Sequence, residues 1–252
     1  MTINSISILH DKYSFIKNKL DYFLFYFLMI LPVTYWSHFR KELFYIQFIL
    51  ALILAFKKSK NFIKIELIRV VFLWLSVMLL QAVYFDKFSI VAVVGQLMFI
   101  SYPYFIVRIF KSKIPHYFSN IIFFFTILGF IFYFGSYASN SFHSLIYNIS
   151  NIFQTDLYHF HGKSLIFYNW MPYSPNGILR YSSIFTEPGN YACHLILAFI
   201  FNSMYSKSIF NFKNNVFILA LLLTFSTAGY LAFYFIIVLI LYTKKQFSIF
   251  NF

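Results

Sequence analysis

The chain has 252 residues, of which 61% are hydrophobic and only 11% charged, with a formal net charge of +13. An average soluble domain carries roughly 25% charged residues, so this chain lacks the polar surface to cover a core of its size in water. Its apolar residues come in long runs, which excludes an ordinary soluble fold and leads us to expect an all-α, polytopic integral membrane protein.

The positive charge does not imply nucleic acid. Lys and Arg cluster between the hydrophobic runs, as cytoplasmic loops require, and no soluble basic surface separates the many aromatic side chains. Cys193 is the only cysteine, so an internal disulfide or a Cys-rich metal cluster is excluded.

Residues 1–19 form a short basic tail, and the first span is expected over 20–37, with Pro32 tolerated as a kink. No small-x-small cleavage site follows it, so this run is read as retained and not as a signal peptide. Arg40-Lys41-Glu42 connects to a short second span, 43–56, whose Lys57 and Lys58 are expected to snorkel. The loop 57–69 holds Lys57, Lys58, Lys60, Lys64 and Arg69 against Glu66 alone, the strongest cytoplasmic mark in the sequence. Spans 70–85 and 88–107 follow, then Arg108, Lys111 and Lys113, then a span over 117–135.

The segment 136–187 is the one long stretch that is not apolar, and it reads as an extracytoplasmic loop. A further span is expected over 188–205. The last run, 215–242, would be roughly 42 Å as one helix, too long for a hydrocarbon core of about 30 Å. Breaking it near Ser226–Gly229 gives spans at 215–226 and 229–243. With eight spans and a cytoplasmic N-terminus, about 15 of the 20 basic residues face the cytoplasm, against about 13 with seven spans. The expectation is therefore about eight spans in one membrane domain over 1–252.

The polar island in this apolar chain is Arg180-Tyr-Ser-Ser-Ile-Phe-Thr-Glu-Pro-Gly-Asn190. Pro188 suits the first position of a helix, and the restriction it places on the preceding residue leaves Glu187 just outside. Asn190 then falls in the first turn, whose free N–H groups and positive dipole end suit a phosphate or carboxylate. Arg180 offers a bidentate fork to the same anion. Glu187 either pairs with Arg180 or serves as a general base on a hydroxyl beside the anion. The plainer reading is a capping Glu and an anchoring Arg.

In the long loop, His143, His159 and His161 are further candidate bases, and Lys163 is a phosphate contact or solvated surface. Asp156, His159 and His161 lack a third strong ligand group for a metal site, so no metal is expected. His194 and Cys193 read as helix-packing residues.

The pattern Arg180-x-x-Ser-x-Phe-x-Glu-Pro-Gly-Asn190, opening a span, resembles the motif of O-antigen and capsular polysaccharide polymerases of the Wzy type. About 35 residues later, Leu223-Thr-Phe-Ser226-Thr-Ala-Gly229-Tyr-Leu is similar to that superfamily's second motif. The resemblance covers about 180–240; upstream only the hydropathy agrees. Thr227 stands where the family often has Arg, and the chain ends soon after the second motif, which reads as a truncated or divergent member.

The resemblance implies a metal-independent membrane glycosyltransferase with no cofactor, in the bacterial plasma (inner) membrane, serving lipopolysaccharide or capsule synthesis. Its substrate would be a glycan linked to undecaprenyl diphosphate. Its partners would be membrane lipids and the flippase and chain-length regulator of the same pathway, with no nucleic acid. Arg180 would meet the departing diphosphate. Glu187, His159 or His161 would take the acceptor's proton. Asn190, Lys163 and Ser226 would contact substrate, and Trp170 and Tyr173 would stack on sugar rings or anchor the loop at the interface. A lipid-linked glycan ligase, a flippase or other transporter, and a non-catalytic subunit of the same pathway are the competing readings.

Overall fold

The computed structural model describes residues 19–34, 41–58, 63–85, 89–150, 163–165, 168–170, 180–185, 187–206 and 208–243. Among these the chain is helical, apart from one ribbon of two three-residue strands. The helices are α1 (19–33), α2 (Lys41–Lys58), α3 (Ile65–Phe85), α4 (Ile90–Phe110), α5 (Ile114–Ala138), α6 (Asn140–Ser150), α7 (Pro188–Tyr205), α8 (Phe212–Leu223) and α9 (Thr227–Thr243). The strands β1 (Lys163–Leu165) and β2 (Tyr168–Trp170) pair antiparallel, with Lys163 opposite Trp170. The segment 136–187, expected as a loop, thus carries the end of α5, all of α6 and this ribbon. The described residues divide into two compact units, one drawn from 1–32 and 40–114, the other from 33–39 and 115–252.

In the first unit, α2 packs along α4, α1 rests on α2, and α3 lies beside α4. The conformation of α1 follows from Pro32. The helix widens to a π-turn at Tyr26–Ile30, where Leu31 N–H bonds back to Tyr26 O, and closes as a 3-10 turn at Leu31–Val33. Because Pro32 has no N–H, Leu28 O loses its donor in the α register and Phe27 O loses its donor in the π register. Both carbonyls are rescued by side chains from other helices. Gln47 Nε2 donates to Phe27 O at 2.7 Å, and the Tyr102 hydroxyl donates to Leu28 O. Phe44 and Phe48 hold the Tyr102 ring in place, at 5.4 and 6.4 Å. The kink foreseen at Pro32 is therefore built into the packing of α1, α2 and α4.

Lys58, expected to snorkel, reaches Ile109 O near the carboxyl end of α4 at 3.5 Å, with its ammonium over the Phe110 ring. Trp74 Nε1 ties α3 to α4 through Gln96 Oε1 at 3.0 Å.

In the second unit, α7 packs on α8 and α9. Asparagines close the α7–α8 hairpin. Asn202 Nδ2 donates to Asn211 Oδ1 and Asn214 Oδ1, and the fully buried Asn214 donates to Ser203 Oγ and Ile209 O. Lys213 joins α8 to α5 through Ser119 Oγ at 3.0 Å and Asn120 Oδ1 at 2.5 Å.

Burial along α5 repeats every three to four residues. Ile122, Thr126, Gly129, Tyr133 and Ser136 face inward, while Phe124, Ile127, Ile131 and Phe134 are exposed. On α9 only Gly229 is buried, and α3 exposes Phe72, Leu73, Leu80, Val83 and Tyr84. Two stretches among the described residues, Ile65–Tyr84 and Ile90–Ala138, are long and apolar enough to cross a membrane, and the second contains both α4 and α5. Helices α8 and α9 are apolar but shorter.

The rescue of the Pro32 carbonyls predicts a coupling that unfolding in detergent measures. Gln47→Leu should cost about 1–3 kcal/mol, because Phe27 O is left buried without a donor. In a Pro32→Ala background the restored N–H gives the helix its own donor, and the same substitution should cost markedly less.

Candidate functional site

The two sequence motifs meet in the second unit at the junction of α7, α8 and α9. Glu187 is extended (φ −136°, ψ 145°) and Pro188 opens α7, as the sequence predicts. Ser226 starts α9: its Oγ accepts from Gly229 N–H at 3.2 Å and its carbonyl from Tyr230 N–H at 2.9 Å. The long C-terminal run thus breaks at Thr224–Ser226.

The first turns of α7 and α9 lie side by side. A Cβ added to Gly229 would sit 2.8 Å from Ala192 Cβ, and one added to Gly189 would sit 3.9 Å from Ser226 Oγ. Helix geometry leaves the N–H groups of Gly189 and Asn190 in one turn, and of Thr227 and Ala228 in the other, without acceptors inside their own helices. Two positive dipole ends therefore converge beside Ser226.

Arg180 binds the break between α8 and α9. Its Nε donates to Thr224 O at 3.0 Å and its Nη2 to Phe225 O at 3.1 Å. The adjacent backbone joins in, with Tyr181 N–H donating to Leu223 O at 2.9 Å. The other terminal carbonyls of α8 are also met. Leu222 O accepts from the Tyr230 hydroxyl, and Leu221 O from Thr224 N–H and Oγ1. Arg180 is thus a side-chain cap on the carboxyl end of α8, where a cation is favoured. A guanidinium has five N–H donors, and this fork uses two of them.

Glu187 does not pair with Arg180 among the described residues. It is the N-cap residue of α7, yet its exposed carboxylate makes no capping bond there. Two of the roles the sequence offers it, pairing with Arg180 and capping α7, are therefore not realised. Asn190 is half-buried and its carbonyl contacts His194 Nδ1 at 2.8 Å. His194 packs between Phe118 and Phe185, as expected of a helix-packing residue, whereas Cys193 is exposed. Lys163 and Trp170 lie opposite one another in the ribbon. Asp156, His159, His161 and Tyr173 lie outside the described residues. Among the described residues, no three His, Cys, Asp or Glu side chains gather as a metal site.

The support beneath the motif comes from α5. Tyr181 is fully buried, its hydroxyl donating to Thr126 O at 2.7 Å, and its ring lies against Phe130, Tyr133 and Tyr191. Gly129 makes this possible, since a Cβ there would meet the Tyr181 ring at 3.1 Å. Thr126 Oγ1 shares a 2.7 Å hydrogen bond with the Tyr191 hydroxyl, and Ser183 Oγ donates to Phe125 O at 3.1 Å. Three non-glycine residues among those described have positive φ, and two of them, Ser183 (50°) and Phe225 (48°), lie in the two motifs. Each turns the chain sharply beside the Arg180 link, at a cost of order 1–3 kcal/mol that the surrounding bonds offset. None of Thr126, Gly129 or Tyr191 stands out in the sequence. The one signal is a glycine inside an apolar run, which marks a close approach.

Scans against protein-family models, curated proteins and solved structures find no match to this chain.

Two substitutions check this geometry. Gly129→Val should displace Tyr181 and cost about 1–3 kcal/mol by overpacking, read as a lowered midpoint of unfolding in detergent. Phe225→Gly should be more stable than Phe225→Ala by about 1 kcal/mol, because both remove the ring and only glycine relieves the positive φ.

Proposed function

We propose that the chain is a multi-pass membrane glycosyltransferase that polymerises lipid-linked oligosaccharide repeat units into O-antigen or capsular polysaccharide. The observation that carries this reading is the hydrogen-bonded union of the two motifs, with Arg180 of the first clasping Thr224 and Phe225 of the second. The contact brings both motifs to one junction, as a shared site requires.

In this reading α1, α2, α3, α4, α5, α7, α8 and α9 are the eight spans, with the N-terminus in the cytoplasm and 136–187 outside. Support comes from the large apolar side chains left exposed on α3, α5 and α9, which a bilayer would cover and water would not. α8 has 12 residues and so is about 18 Å long, shorter than a hydrocarbon core of about 30 Å; in this reading the motif junction therefore lies below the outer headgroups.

The donor is a glycan on undecaprenyl diphosphate, and the acceptor is the terminal sugar hydroxyl of a lipid-linked repeat unit. The acceptor oxygen attacks the donor's anomeric carbon, the bond from that carbon to the phosphate oxygen breaks, and the lipid diphosphate leaves as the anion. The remaining N–H groups of Arg180, with those of Gly189, Asn190, Thr227 and Ala228, stabilise that anion. Ser226 holds the α9 end in place by capping it. Glu187, exposed and not bonded to Arg180, takes the proton released by the acceptor hydroxyl. Lys163, Trp170 and Tyr173 of the outer segment contact the glycan, and His159 or His161 is the alternative base. No metal or cofactor takes part.

The capping role of Arg180 alone would serve a non-catalytic subunit equally well, and substitution separates the two. In the producing cell, Arg180→Lys keeps a cation near the α8 carbonyls but loses the fork. If the diphosphate role holds, surface glycan on gels should collapse toward single repeats for Arg180→Lys and Arg180→Ala at normal protein level. Long chains at normal level would sink the role. Glu187→Gln should shorten chains by lowering the rate roughly 10²-fold or more, without lowering protein level.

A further inference from the structure

α6 leaves α5 after a single residue. Ser139 caps it, with Oγ accepting from Phe142 N–H at 3.2 Å and the carbonyl accepting from His143 N–H at 2.9 Å. Phe142 seats over Gly135, where a Cβ would lie 2.8 Å from Phe142 Cδ1, and stacks on Phe132 at 6.3 Å. The corner is therefore fixed, and α6 starts level with the end of α5. At 25 residues α5 is about 37 Å long, enough for its ends to reach both edges of a bilayer core of about 30 Å.

α6 has no charged residue. Phe142, Leu145, Ile146 and Ile149 fall within an arc of about 100°, and Asn140, Ser141, Ser144 and Asn148 occupy the other side. Protein covers only half of the apolar arc. Ile146 is 5% exposed and Phe142 half-buried, whereas Leu145 is 55% and Ile149 40% exposed. The open apolar edge borders Ser141, Ser144 and Asn148, which are exposed as well.

We propose that α6 lies in the plane of the membrane surface, with Leu145 and Ile149 set into the boundary between lipid headgroups and acyl chains and Ser144 and Asn148 facing water. The proposal rests on the reading that α5 crosses a bilayer. Lipid is the occupant because α5 leaves an apolar stripe, Phe124, Ile127, Ile131 and Phe134, exposed, and α6, joined to it by one residue, leaves Leu145 and Ile149 exposed in turn. β1 lies beside α6, so the helix carries the ribbon, and with it the paired Lys163 and Trp170 positions, at headgroup height.

The test uses the full chain with the lone cysteine removed (Cys193→Ser) and one new cysteine at a time: Leu145→Cys, Ile149→Cys, Ser144→Cys and, on the α5 stripe, Ile131→Cys. Each is labelled with a small fluorophore in phosphatidylcholine vesicles. Quenching by iodide in water is compared with quenching by lipids bearing a nitroxide near the headgroup or deep in the chain. Labels at 145 and 149 should be quenched several-fold more by the shallow lipid nitroxide than by iodide, the label at 144 the reverse, and the label at 131 by the deep nitroxide. Lipid quenching at 131 with iodide quenching at 145 and 149 overturns the proposal alone. Silence toward both quenchers at 145 and 149 also overturns it, since protein then covers the edge. If the label at 131 does not sense lipid, the membrane reading falls too. Position 149 repeats the measurement should Leu145→Cys fail to insert.

Discussion

The fork from Arg180 to Thr224 O and Phe225 O is the interaction on which the second unit's polar geometry depends. A helix that ends leaves its last carbonyls without intrahelical donors, and each one left buried and unmet is expensive. α8 stops there, and its last carbonyls are met from outside by Arg180, Tyr181 and Tyr230. That arrangement frees the chain to turn at Phe225 and to begin α9 at Ser226. Without the fork, Thr224 O and Phe225 O would lose their donors at the turn beside which the two helix N-termini meet. The charge of Arg180 also sits against the negative end of α8, where a cation is favoured.

The same requirement shapes the first unit. Pro32 removes one N–H, and the shift into a π-turn orphans two carbonyls; Gln47 and Tyr102 answer them from α2 and α4. Polar side chains in apolar helices are costly unless they have such partners. Gln47 is 0% exposed in a helix of Phe, Ile and Leu; its Nε2 meets the Phe27 carbonyl, while its Oε1 is buried without a partner among the described residues. The asparagines of the α7–α8 hairpin do the same: Asn211 Oδ1 accepts from Asn214 N–H, and Asn214 Nδ2 donates to Ile209 O. In each case a polar residue within an apolar run marks a backbone group that its own helix cannot satisfy.

This explains what could be read from the sequence and what could not. Helical character was visible because apolar runs of this length have few other solutions. Pro188 announced the start of α7 through its fixed φ, and the small residues at 226–229 announced a break, which falls slightly earlier, at Thr224–Ser226, with Thr227–Gly229 opening α9. The union of the motifs was visible only as a resemblance in spacing, since nothing in Arg180 itself names Thr224 as its partner. α6 was hidden because its Ser and Asn content reads as loop, and only the placement of its four apolar residues on one arc betrays a helix. Thr126 and Gly129 were hidden for the opposite reason. They lie in a run of Phe and Ile where every position looks alike, and their importance comes from Tyr181, over fifty residues away.

The separation of Glu187 from Arg180 bears on the proposed chemistry. A carboxylate bonded to the guanidinium would neutralise it and would itself be a poor base, so an ion pair would have argued for a purely structural motif. Instead Arg180 spends part of its donor set on carbonyls, which carry partial charge only, and keeps its full positive charge. Glu187 is exposed at the N-terminus of α7. The site therefore offers a cationic side of fixed geometry and a separate, unneutralised acceptor. A transfer that expels a diphosphate on one side and releases a proton on the other calls for that division of charge.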